Sequence, residues 1–206
     1  MKKTSIQFNL FAVALALLGI VSGCEQRGVH YQGYYPIDSV VTAQIQFLTA
    51  AKASAVKIAK LGDKEETQTI KAADSTIWVN ELEIFRELKT LNKPINQGIY
   101  TVENGVPDTK SNLTIKLITA SVADKKHLPP VRSMKIYYHN TLKSIKRIEA
   151  QFNEINSLYS SERFLVMEFQ DVNNKTVLSS YSVNGGQKMF LGDSVVYSVK
   201  GNISLQ

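Results

Sequence analysis

The 206-residue chain is poor in several things that would each decide a class. It has one cysteine, so no internal disulfide can form, and only 11 Gly and 5 Pro, which excludes collagenous and low-complexity folds. No polar-free run reaches the ~20 residues that a spanning helix needs. Neither sign of charge dominates, with 24 Lys and Arg against 18 Asp and Glu. What remains is 44% hydrophobic and 20% charged, the composition of a globular domain large enough to bury a core without metal or disulfide.

The start of the chain is set apart. Lys2 and Lys3 precede an unbroken apolar run, Leu10 to Val21. Twelve helical residues rise about 18 Å, short of the ~30 Å hydrocarbon core, so the run reads as a signal peptide. It ends in Val21-Ser22-Gly23-Cys24, an aliphatic residue and two small ones directly before the chain's single cysteine. This resembles the lipobox of bacterial lipoproteins, with Val where Leu is more usual at the third position before the cysteine. The resemblance covers the first 24 residues. It implies cleavage after Gly23, a diacylglyceryl group on the Cys24 sulfur and acylation of the new amino terminus. Glu25 rather than Asp follows the cysteine, so the resemblance also implies the outer membrane of a Gram-negative bacterium. Two or three acyl chains anchor stably where one binds only marginally.

The expected organisation is a signal peptide over 1–23, a lipidated tether over 24–36 and one α+β globular domain over 37–206. The tether mixes Gly28 and Gly33 with Tyr31, Tyr34 and Tyr35, rings that suit either a bilayer interface or the surface of the domain. Loss of Lys2 and Lys3 lowers the formal charge from +6 to +4. The basic clusters Lys125-Lys126-His127 and Lys143, Lys146, Arg147 suit anionic headgroups, an acidic polysaccharide or plain solvent. Nucleic acid is not an expected partner, since no recognisable nucleic-acid module is present.

Within the domain, apolar periodicity and high Ala content predict one helix from Ile37 to Leu61, capped by Gly62. A second is predicted from Asp74 to Asn92, with Asp74 or Ser75 as N-cap and Pro94 beyond its end. After Pro94, alternating residues predict strands at Ile99–Glu103, ended by a turn at Asn104-Gly105, and at Leu113–Ile118, Met134–His139, Arg163–Gln170, Thr176–Val183 and Val195–Ile203. Asp171–Lys175, Asn184-Gly185-Gly186 and Gly192-Asp193 read as hairpin turns, Asn-Gly the strongest. Leu142–Tyr159 stays open, its periodicity favouring a helical stripe and its place between two strand-like runs favouring a strand. The expected fold class is therefore α+β, two amino-terminal helices packed on an antiparallel β-meander of about six or seven strands.

No reaction is written in the chain. His30, His127 and His139 sit in no zinc spacing, no nucleophile elbow or phosphate loop occurs, and the acids are scattered. No cofactor and no metal are expected, and an enzyme is the less favoured reading. The expected function is a lipid-anchored envelope protein of binding or scaffold type. Its partners would be the membrane, through Cys24-linked chains, and a lipophilic ligand or an envelope protein. Phe47 and Leu48, with Phe164 and Phe169, are the candidate lining of a cavity between helix and sheet, core filling being the alternative. A hydrolase of peptidoglycan or another glycan is the competing reading.

Cys24→Ala should abolish labelling by a radioactive or clickable fatty acid and leave the larger precursor. An unchanged mature mass would count against the lipobox.

Overall fold

The computed structural model describes residues 33–71, 74–121 and 128–205. Gly23, Cys24, most of the tether, His30 and the Lys125-Lys126-His127 cluster lie outside these residues.

The domain is mostly β. Helix α1 (Ile37–Ala50) leads into β1 (Ser54–Leu61) and β2 (Lys64–Ile70), and helix α2 (Ser75–Arg86) continues through 3-10 turns at Glu87–Asn92 and Pro94–Asn96. Seven strands follow: β3 (Tyr100–Pro107), β4 (Thr114–Ala120), β5 (Val131–Tyr138), β6 (Ile145–Ile155), β7 (Tyr159–Val172), β8 (Lys175–Met189) and β9 (Ser194–Ser204). All nine form one sheet in the order β2-β1-β9-β8-β7-β6-β5-β4-β3, and each neighbouring pair is antiparallel.

This overturns the expected α+β arrangement of two helices on six or seven strands. The long first helix does not exist. Lys52 takes a positive φ of 47°, the Ala53 N–H bonds to Leu48 O at 3.0 Å and the Lys52 N–H to Thr49 O at 3.1 Å. This is a Schellman stop, closed by the buried pair Leu48 and Ala53. It normally carries glycine, and lysine in its place conceals it. Gly62, φ 57°, turns the β1–β2 hairpin instead of capping a helix. Residues 145–155 of the ambiguous segment are a strand.

Two turn readings also change. Asn184-Gly185-Gly186 lies inside β8 and pairs with both β7 and β9. Gly185 is there because a Cβ would meet the Tyr197 ring at 2.8 Å. Asn104-Gly105 makes a bulge within β3, between Glu103 and Val106. The β7–β8 hairpin does turn where expected, on Asn173 and Asn174, both at positive φ.

Both helices lie on one face. Ile37, Val41, Ile45 and Leu48 of α1 are buried, as are Trp78, Leu82 and Phe85 of α2. They join Ile118, Met134, Ile136, Ile148, Leu165, Met167 and Tyr181 of the sheet in one core. The helices run antiparallel, with Asp38 of the first turn of α1 bonded to Arg86 at the end of α2, 3.1 Å.

Polar fastenings fix how the helices sit. Gln44, buried on α1, donates to Thr176 O (3.1 Å) and accepts from the Leu178 N–H (2.7 Å). These two β8 groups lie beyond the last β8–β9 pair, Ser180 with Asn202, so the side chain substitutes for a missing strand. On α2, Glu81 accepts from the Tyr181 hydroxyl and pairs with Lys57 at 2.8 Å. The Tyr181 ring lies over Gly201, its cross-strand neighbour, where any Cβ would collide with it.

Gln44→Leu should cost about 3 kcal/mol by leaving two buried backbone groups unpaired. Gly201→Ala should cost about 2 kcal/mol by displacing the Tyr181 ring. Urea unfolding followed by the emission of Trp78, the only tryptophan and 0% exposed, measures both.

Candidate functional site

The face of the sheet away from the helices carries the other half of every strand. Strand register sets its rows: Ile115, Tyr137, Arg147, Glu168 and Ser180 stand across β4 to β8, and Leu117, Lys135, Glu149, Val166, Ser182 and Lys200 form the next row, ending on β9. A third runs Thr119, Ser133, Gln151, Phe164, Asn184 and Ser198. The face is thus mostly polar, with hydroxyls, amides and charged side chains around four apolar members, Ile115, Leu117, Val166 and Phe164. Two of those, Val166 and Ile115, are buried among their neighbours.

Arg147 is its electrostatic centre. Its Nη2 lies 2.7 Å from Glu149 Oε1, and its Nε lies 3.4 Å from Glu168 Oε1. The second contact is an ion pair without hydrogen-bond alignment, since Nε has no hydrogen-bond partner. Tyr137 donates its hydroxyl to Glu149 at 3.0 Å and lies under the Arg147 guanidinium, 5.9 Å from its ring centre. Both carboxylates are held by one guanidinium, so neither is presented alone as an acid or base for hydrolysis. Burial, and then the hydrogen bond to Glu149, push the Tyr137 phenol up to about 12.

Three depressions lie on this face and share residues. One of about 710 Å³ sits beside the β3–β4 connection and is lined by Lys110, Lys135, Tyr137 and Arg147. One of about 450 Å³ shares Arg147 and Glu168 with it and continues over Val166, Ser182 and Lys200. A third, about 710 Å³, shares Phe164 and Asn184 with the second and reaches Gln187, Val195 and Val196. Together they form a trough running obliquely across the strands. Phe164, 42% exposed, stands between the second and third.

Of the four residues proposed from sequence, three join the core, the alternative to a cavity lining, and one does not. Leu48 and Phe169 are in the core, and Phe47 packs at its border with Lys175 Nζ 5.8 Å from its ring centre. Phe164 points to the opposite face. The layer between helices and sheet is closely filled by Leu48, Trp78, Leu82, Phe85, Leu88 and Leu91, none more than 1% exposed. His139 is exposed on the β5–β6 turn. The residues missed by sequence reasoning are Tyr137, Glu149, Gln151, Ser182, Asn184 and Ser198. Strand alternation was their only signal, and it cannot name which strands are neighbours.

Among the described residues, no three His, Cys, Asp or Glu side chains are grouped to hold a metal ion. No described helix is long and apolar enough to cross a membrane. No family model, curated protein or solved structure matches the chain.

Tyr35, Tyr137 and Tyr181 all have phenols raised above the usual 10.0, burial being the largest cause in each. A phenol is neutral when protonated, so between pH 10 and 12 the unfolded chain loses protons that the folded one retains. Stability from these groups is intact below about pH 10 and falls as pH rises above it. Tyrosinate absorbance should show Tyr137 titrating near pH 12 and Tyr35 and Tyr181 only as the fold is lost, and titration of all three at the ordinary pH in a folded chain would contradict the placement.

Proposed function

We propose that the protein is a lipid-anchored, non-catalytic binding protein of the bacterial cell envelope. It is held by Cys24-linked acyl chains at the outer membrane of a Gram-negative cell and takes its ligand in the trough on the helix-free face. The observation that carries this reading is the trough itself, an elongated polar surface in which hydroxyls, amides and charged side chains surround one exposed ring.

The lining argues for an extended polyhydroxylated chain such as an envelope glycan. Strands ~4.8 Å apart, with same-face residues ~7 Å apart along each, present Ser182, Ser198, Asn184 and Gln151 as a lattice of donors and acceptors. Phe164 offers an apolar face against which the C–H side of a sugar ring packs. Lys135 and Lys200, on the same row, suit acidic substituents. A lipophilic ligand between sheet and helix is less well supported, because it would have to displace residues that are fully buried. The hydrolase reading rests only on Glu149 and Glu168, which share Arg147.

Titration of the full acylated chain in detergent with soluble glycan strands from bacterial envelopes tests this. Phe164→Ala should weaken binding about tenfold, the equivalent of ~1.4 kcal/mol, without lowering thermal stability. Unchanged affinity would remove the trough as the site. Release of new reducing ends, lost in Glu149→Gln, would favour the hydrolase. A lipid-sized extra mass in the native spectrum, removed by organic extraction, would favour the lipophilic ligand.

A further inference from the structure

The most exposed apolar side chains of the domain are gathered at one end of the sheet. Among the described residues, the large ones at least two-thirds exposed are Ile95, Ile155, Leu158, Phe190, Leu191 and Val196. Ile155 and Leu158 belong to the tip of the β6–β7 hairpin, and Phe190, Leu191 and Val196 to that of β8–β9. Register places these tips beyond the rest of the sheet. β6 and β7 run on past the last β5 partner, where Val131 faces Phe152, and β9 begins before its first β1 partner, Tyr197 opposite Leu61.

The two tips are built as one unit. The Phe190 N–H donates to Leu158 O at 2.9 Å, tying one turn to the other. The Leu158 and Tyr159 N–H groups both donate to the Asn156 side-chain oxygen, at 2.8 and 2.9 Å. Polar groups in the β6–β7 turn are thereby satisfied within the protein, as entry into an apolar medium requires. Residues 155–159 carry no charge, and 189–194 only Asp193.

The chain enters the fold at this same end. The Tyr34 hydroxyl accepts from the Gly98 N–H at 2.8 Å and donates to Asn96 O at 3.0 Å, directly before the first residue of β3. Gly33 lies nine residues beyond Cys24, a separation of at most about 30 Å when extended. A tether of that length from an acylated Cys24 would allow this end to reach the bilayer.

We propose that the paired tips of β6–β7 and β8–β9 insert Leu158, Phe190 and Leu191 into the interfacial layer of the anchoring membrane. The occupant of this surface is thus lipid. Projecting apolar wedges on hairpin tips are suited to acyl chains, whereas a protein partner would need a hollow to receive them. The insertion rests on the anchored reading in one respect, since Cys24 supplies proximity. It adds a second attachment that fixes orientation, with the trough reaching Val195 and Val196 at its membrane-proximal end.

The test uses the full chain in vesicles of phosphatidylethanolamine and phosphatidylglycerol, with acylation of Cys24 in the wild type read in parallel by mass spectrometry. Leu191→Cys is labelled with an environment-sensitive dye, and Asn112→Cys, on the β3–β4 connection at the opposite end, serves as the control. The expected result is a blue-shifted dye at 191, quenched at least several-fold more than that at 112 by nitroxides on the lipid acyl chains. Equal, weak quenching at both sites with Cys24 acylated would overturn the insertion and leave the anchor intact. A blue shift without nitroxide quenching would indicate burial against a second copy, and would equally overturn it. Quenching at 191 with Cys24 unmodified would uphold insertion and refute the anchor.

Discussion

The pairing of β1 with β9 is the constraint on which the rest depends. It joins the first strand of the chain to the last, in eight consecutive antiparallel pairs from Ser54 with Ser204 to Leu61 with Tyr197. With β2 then at one edge and β3 at the other, the segment between them must cross the breadth of a nine-stranded sheet, roughly 38 Å at ~4.8 Å per strand. Residues 71–99 do so with α2 and its 3-10 turns. α1 crosses in the opposite sense, from beside Lys116, which donates to Tyr34 O, to the start of β1. Both helices cross on one face, and among the described residues no helix covers the other.

The helix-covered face is fastened by polar groups as much as by its apolar core. Gln44 completes the ladder of β8 where β9 no longer pairs with it, and Asn92 does the same for the entering chain, bonding Tyr34 N and Tyr35 O. Each is an amide that imitates a peptide group, so its contribution is geometric as well as energetic. Gly185 and Gly201 act in the complementary way, leaving space for the rings of Tyr197 and Tyr181. The open face has no such closure. Its side chains answer to one another and to solvent, which is why serines, amides and the Arg147 ion pairs outnumber its apolar residues.

Legibility in the sequence followed the range of the interaction. The strands after Pro94 could be read because alternation is local, and α2 because Asp74 caps it, accepting from the Ile77 N–H. The end of α1 could not. Its stop lies at Lys52, and Ala-rich residues 53–61 satisfy a helical period as well as a strand; pairing with β9, some 140 residues later, decides between them. Leu142–Tyr159 was open for the same reason. Phe164 and Phe169 looked alike, yet they stand five residues apart on one strand, so alternation puts one ring in the trough and the other in the core; the nearby bulge adds its extra residue, Ser179, to β8.

The sequence by itself determined the separate character of the first 24 residues, the positions of most later strands and the absence of any local catalytic signature, because each depends on neighbours within a few residues. Tertiary structure alone decided the number of strands, the closing of β1 on β9, the gathering of Arg147 with Tyr137, Glu149 and Glu168, and the alignment of two apolar tips at one end. Those depend on which strand lies beside which. Backbone hydrogen bonds join strands without regard to side-chain identity, so their order is chosen by the packing of the whole chain.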